Sequence, residues 1–257
     1  MTMALVLDNI TKSFHQNRVV DNLDLTVHQG QAIALIGPNG AGKTTVFNLI
    51  SGIYPLDQGR IYIDGTDVTN ISSGRRIRAG VARSFQNVRL MPYLSVMDNL
   101  LLGQHLQASG VGTLLAPFRL MPHNRWREAA REALETYDLT GMENKPVGAL
   151  PYGIRKRVDL VRATLTGARL LLLDEPAAGL NPSETNALRQ HLDRMRIDGM
   201  TLVVIEHDMG FIERACDHVV VLNFGAKIAE GTLAQVQRNP LVQQAYIGTT
   251  AQQEVMA

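Results

Sequence analysis

Apolar residues along the chain gather in short runs divided by polar and glycine-rich turns. "ALVLDNI", "AIALIG", "RIYIDG", "VARSFQ", "LLLLDEP", "TLVVIEH" and "HVVVLN" have the length and β-branched content of strands. Several are apolar throughout, the mark of strands buried on both faces of a sheet. Within the first hundred residues the runs pair around short polar turns, which predicts an antiparallel sheet beside a parallel one that carries helices on both sides. From about Leu90 to Arg157 the β-branched density drops and helical spacing takes over. In "NRWREAAREALETYDL", for example, Trp126, Ala130, Ala133, Leu134 and Tyr137 fall on one stripe. An inserted helical subdomain over residues 90–157 is expected. A further helix should begin at Asn181, with Pro182 at its first position, Glu184 completing a reciprocal cap, and Leu188, Leu192 and Met195 as its buried stripe. Residues 233–257 form a C-terminal tail whose end, "AQQEVMA", should fray.

Two of the turns carry chemistry. "GPNGAGKTT" follows the strand "AIALI" and opens the helical run "TTVFNLI". Gly37, Pro38, Asn39, Gly40, Ala41 and Gly42 therefore form a loop whose backbone N–H groups converge on phosphate oxygens, with the positive end of a helix behind them. Lys43 should reach the β- and γ-phosphates, Thr44 should place its hydroxyl on Mg2+, and Thr45 should contact the α-phosphate region. The second turn closes "LLLLDEP" and puts Asp174 and Glu175 at the carboxyl edge of a buried strand, where parallel sheets present ligands. An acidic pair after a strand is more often a turn or a helix cap. With a phosphate cradle upstream, Asp174 is suited to holding Mg2+ through water, and Glu175 to taking a proton from the attacking water.

In order along the chain, "GPNGAGKTT", the glutamine of "SFQN", "LLLLDEP", "AGLNP" and the histidine of "VVIEHD" resemble the motifs of ABC-type ATPases, and the resemblance covers nearly the whole chain. It implies an α/β fold over residues 1–257, with a RecA-like P-loop core, an antiparallel β subdomain and the inserted α-helical subdomain. It implies ATP and Mg2+ as ligands. By the same resemblance Gln86 senses the γ-phosphate and Mg2+ and relays nucleotide state to the helical insert, and His207 contacts the γ-phosphate and orients the water. Phe14 occupies the place of the aromatic residue that stacks on adenine, with an ordinary core phenylalanine as the alternative. The signature segment departs from the family: where most members have Leu-Ser-Gly-Gly-Gln, this chain reads "LPYGIRKR". Pro151, Tyr152 and Ile154 replace serine, glycine and glutamine, leaving Gly153 and a helix start to face the nucleotide of the opposite subunit. That predicts a working but slower site, or else a face that has lost catalytic assembly. Asn181 stands where the family commonly has aspartate.

Within the family, "SFQN", the Tyr-Gly signature, "DEPAAGLNP", "IEHDM" and "NPLVQQAYIG" are most similar to the ATP-binding subunits of branched-chain amino acid importers. Relatives in that group serve urea, short amides and small carboxylates, and the solute never touches this subunit, so the solute stays open. The implied partners are transmembrane permease subunits, a second ABC ATPase subunit, identical or not, and indirectly a solute-binding protein.

Composition then narrows the setting. A formal net charge of +1 gives no basic stripe for nucleic acid. The single Cys216 forms no internal disulfide, and "MTMALVLDNI" has neither a basic leader nor the apolar stretch of a signal peptide. The longest apolar runs fall far short of the ~20 residues that span a bilayer. A peripheral protein at the cytoplasmic face of the plasma (inner) membrane is expected. Two alternatives stay open: a soluble ABC ATPase that serves no transporter, and a weakly hydrolysing ATP-binding partner of a second cassette.

Overall fold

The computed structural model describes residues 2–84, 89–104 and 125–246. Met3–Phe14 (β1) and Asn17–His28 (β2) form a long antiparallel hairpin whose two-residue turn holds His15 at a φ of 55°. Strand β2 lies outside the runs picked out above because its buried residues, Val20, Leu23, Leu25 and Val27, alternate with polar ones. Gln58–Ile63 (β4) and Thr66–Asp67 (β5) extend the hairpin into a four-stranded sheet of order β2-β1-β4-β5.

The second sheet holds Ala32–Ile36 (β3), Val81–Ser84 (β6), Leu170–Asp174 (β7), Thr201–Ile205 (β8), His218–Asn223 (β9) and Ala226–Gly231 (β10). Its order is β10-β9-β3-β8-β7-β6, and only the β9–β10 pair is antiparallel. Both faces are covered, as the apolar runs require. Leu170, Leu172, Val203 and Ile205 turn towards the antiparallel sheet and helix α1 (Lys43–Ile50). Leu171, Leu173, Leu202 and Val204 turn the other way, onto a cluster built with α3 (Val96–Gln104), α4 (Arg125–Thr136), α5 (Tyr152–Thr164) and α6 (Pro182–Ile197). A third cluster joins Ile36, Val219 and Val221 to α7 (Met209–Ala215) and α8 (Leu233–Gln237). The α/β architecture with two sheets and helices is the one the resemblance implies.

Local detail follows sequence chemistry in most places. Helix α6 has both halves of its capping box: Asn181 Oδ1 accepts the Glu184 N–H at 3.0 Å, and Glu184 Oε2 accepts the Asn181 N–H at 3.0 Å. Its stripe gains His191, which packs edge-on against Tyr137 at 5.4 Å between ring centroids. In α4, Ala130, Ala133 and Leu134 are buried and Tyr137 follows them inward, whereas Trp126 is only half-buried, with the Arg125 guanidinium 4.5 Å from its ring centroid. Arg76, in the short helix α2 (Ser73–Arg78), is buried and donates to the carbonyls of Leu49, Ile50, Thr69 and Ile71. Two of those carbonyls belong to the last residues of α1, which have no partner within the helix. The segment "AQQEVMA" lies outside the described residues. Among the described residues no helix is long and apolar enough to cross a membrane.

Candidate functional site

The site is assembled where the carboxyl ends of β3, β7 and β8 meet. Beyond β3 the chain turns through residues 37–42 and enters α1 at Lys43. Gly42 occupies the cap position at a φ of 100°, and a Cβ there would collide with the Val19 carbonyl. Lys43 is 7% exposed, and its ammonium curls under its own loop, donating to the Gly37 carbonyl at 2.6 Å and the Pro38 carbonyl at 3.0 Å. Burial pushes its pKa below the ordinary lysine value, while the charges of Glu175 and Asp174 pull it back up. The resulting cleft, of about 280 Å3, is lined by residues 39–45, Val19, Asp174, Glu175, Ile205 and His207. It therefore brings together the phosphate loop, the acidic pair and the histidine named from the sequence.

Asp174 ends β7, and Glu175 follows at a φ of 49°, its N–H donating to the Ile205 carbonyl at 2.9 Å. That turn aims the Glu175 carboxylate at His207, whose Nε2 lies 3.4 Å from Oε1. Asp174 Oδ2 accepts from the Arg83 guanidinium at 2.8 Å, in an ion pair whose side chains are 8% and 12% exposed. Arg83 also donates to Asn48 Oδ1 at 2.6 Å and stands 5.5 Å from the Phe47 ring centroid. Thr44 and Asp174 face the same cleft. One hydroxyl and one carboxylate fit Mg2+, a hard cation that takes oxygen ligands and completes its shell with phosphate oxygens and water.

Not every named residue joins this cleft. Phe14, at the end of β1, is half-buried and packs edge-on against Tyr54, with ring centroids 5.1 Å apart, and Val19 is the β2 residue that lines the cleft. Gly153 sits in the first turn of α5, away from the cleft, where a Cβ would overlap the Glu184 carboxylate. Gln86 lies outside the described residues.

Sequence reasoning missed several residues that shape the site. Arg83 was marked only by being a charge within the strand "VARS". Lys156 and Glu206 are buried charges, and both bond to the backbone around Glu175. Burial raises the Tyr246 phenol, which a hydrogen bond with the Gly37 backbone partly offsets. No spacing rule reaches any of these contacts, because each crosses between elements far apart in the chain.

Comparison with known proteins agrees with this geometry. The ABC transporter family profile matches residues 20–178, and that of the branched-chain amino acid ATP-binding cassette transporter matches residues 226–252. The chain is 39% identical over 248 residues to the high-affinity branched-chain amino acid transport ATP-binding protein BraF of Pseudomonas aeruginosa, covering 95% of this chain and 97% of that protein. It is 37% identical over 233 residues to LivG of Escherichia coli K12, which carries the same description, covering 89% and 91%. Among solved structures, the ADP conformation of MJ1267, an ATP-binding cassette of an ABC transporter, aligns with a TM-score of 0.86 at 30% identity. That alignment covers 96% of this chain and 100% of the other.

Proposed function

Since the chain belongs to the ABC transporter family, as an ATP-binding and ATP-hydrolysing subunit, we propose that it powers an importer of branched-chain amino acids or related small solutes. The convergence of residues 39–45, Asp174, Glu175 and His207 on one cleft carries the assignment of the hydrolytic site. The N–H groups of the loop hold the phosphate chain, and the Lys43 ammonium exchanges the Gly37 and Pro38 carbonyls for phosphate oxygens. Thr44 and Asp174 would hold Mg2+, which when bound neutralises charge on the phosphates. Glu175 accepts the proton of the attacking water, and His207, in reach of the same carboxylate, orients that water. Gln86 senses the γ-phosphate, and the Gly153 turn faces the nucleotide of a second cassette.

The remaining partners follow from the same reading. Permease subunits hold the chain at the cytoplasmic face of the inner membrane, and a solute-binding protein acts on it indirectly. An apolar cleft of about 410 Å3 lies between the core and the helical insert, residues 90–157. Ile53 on the core and Leu102 on the insert are exposed at its lining, so it is the surface assigned to a cytoplasmic segment of the permease.

Glu175→Gln tests the site in the assembled transporter. ATP affinity should stay within about twofold while phosphate release falls by at least about 100-fold. An unchanged rate removes Glu175 from the mechanism. Uptake of labelled leucine by proteoliposomes holding the full complex tests the solute, and ATP-driven uptake of urea in place of leucine would reassign it.

A further inference from the structure

The loop that carries Glu175 is held by more than its own strand. Glu175 adopts left-handed backbone, at a φ of 49°, which an ordinary residue keeps only when its surroundings over-determine it. Here they do. Lys156 Nζ donates to the Glu175 carbonyl at 2.9 Å and to the Ala178 carbonyl at 2.8 Å. Glu206 Oε1 accepts the Ala177 N–H at 2.7 Å, and Glu206 Oε2 accepts the His207 N–H at 2.9 Å. Two opposite charges, 6% and 4% exposed, are thus turned onto the backbone of the two segments that bear the proposed base and the water-orienting histidine. Burial lowers the pKa of Lys156, and Glu206, Glu175 and Asp159 oppose that shift.

Lys156 belongs to α5, one turn after Tyr152 and two residues after Ile154, where the chain departs from the family signature. The Tyr152 ring, which stands where the family has glycine, lies 5.6 Å from Lys156 Nζ and packs over Gly179, just past the bonded carbonyls. The altered signature and the loop of the base are therefore one packed unit.

We propose that Lys156 and Glu206 are positioning residues for ATP hydrolysis: Lys156 fixes the carbonyls that set the Glu175 turn, and Glu206 ties that turn to His207. The proposal rests on Glu175 as the base. It assigns to α5 a role within its own chain, beyond the face that it offers to a second cassette.

The test uses the full chain, with turnover measured in the assembled transporter and amide hydrogen exchange on the subunit. Lys156→Met keeps most of the stem and removes the donors. Exchange in residues 175–181 should quicken about tenfold while α1 stays protected. Turnover should fall between about tenfold and 100-fold, with the KM for ATP within about twofold, as misplacement of a catalytic group predicts. Lys156→Arg, which keeps several donors, should recover most of the loss. The proposal is overturned if exchange in 175–181 does not move, or if ATP affinity falls in step with turnover and exchange rises throughout. A loosened loop with full turnover also overturns it, whereas the assignment of Glu175 falls only if Glu175→Gln keeps its rate. If K156M does not fold, Glu206→Gln, of nearly the same size, carries the same two expectations, and the absence of either change sinks the idea.

Discussion

Arg76 sets the standard for what a single residue does here. Its guanidinium serves backbone: it donates to the carbonyls of Leu49 and Ile50 at the end of α1 and of Thr69 and Ile71 just before α2. Arg76→Met leaves the buried Ile50 carbonyl without this donor and strips those of Thr69 and Ile71, while Leu49 keeps the Gly52 N–H at 3.1 Å; unsatisfied groups of that kind cost about 1–3 kcal/mol each before relaxation. A loss of about 3 kcal/mol in urea unfolding is expected, because part of the cost is relieved by local rearrangement. Cys216 shows the same physics with one thiol. Burial, with Asp217 adding to it, pushes its pKa up to about 12. A folded pKa above the unfolded one means that the stability it contributes is complete below the unfolded value of about 8.5 and is lost as pH rises towards the folded value. Wild-type protein should therefore lose stability between about pH 9 and 12 by more than Cys216→Ala does, which thermal midpoints across that range would measure.

At the scale of elements, legibility depended on how local the signal was. The start of α6 was readable because a capping box is contained in four residues, and Asn181 and Glu184 satisfy each other as the pattern requires. Asn181→Ala should cost about 1 kcal/mol, measured by chemical denaturation, with little change in ATP affinity. The phosphate loop was readable for the same reason: strand, loop, lysine and helix are contiguous. Strand β2 was harder, because alternation with polar residues dilutes its apolar content, and irregular pairing with β1 between Leu7 and Ser13 breaks strict period two. In α5 the sequence marked lost signature side chains, and the fold shows where two of the replacements went. Ile154 packs against the helical-side core, and Tyr152 covers Gly179.

For the whole molecule, the decisive arrangement is the meeting of three strand ends at one cleft. A pair that closes on ATP is the behaviour expected of it, because phosphate charge held by one chain is available to a helix start on another. Glu175→Gln should therefore associate on adding ATP with magnesium, doubling the mass seen by light scattering, while Lys43→Ala stays monomeric under the same conditions. A nucleotide-independent mass for both variants would refute closure driven by ATP.

The linear order of motifs, a glycine-rich loop followed by an acidic pair and a histidine, was enough to identify the ATPase family and with it the α/β class. Those signals live in bonds between neighbours and in periodicity, which a chain carries before it folds. Only the tertiary structure decided that Arg83 holds Asp174, that Lys156 and Glu206 hold the turn at Glu175, and that Val19 rather than Phe14 lines the cleft. Each of those contacts spans elements distant in sequence, and a buried charge finds its partners only after the sheets and helices have packed.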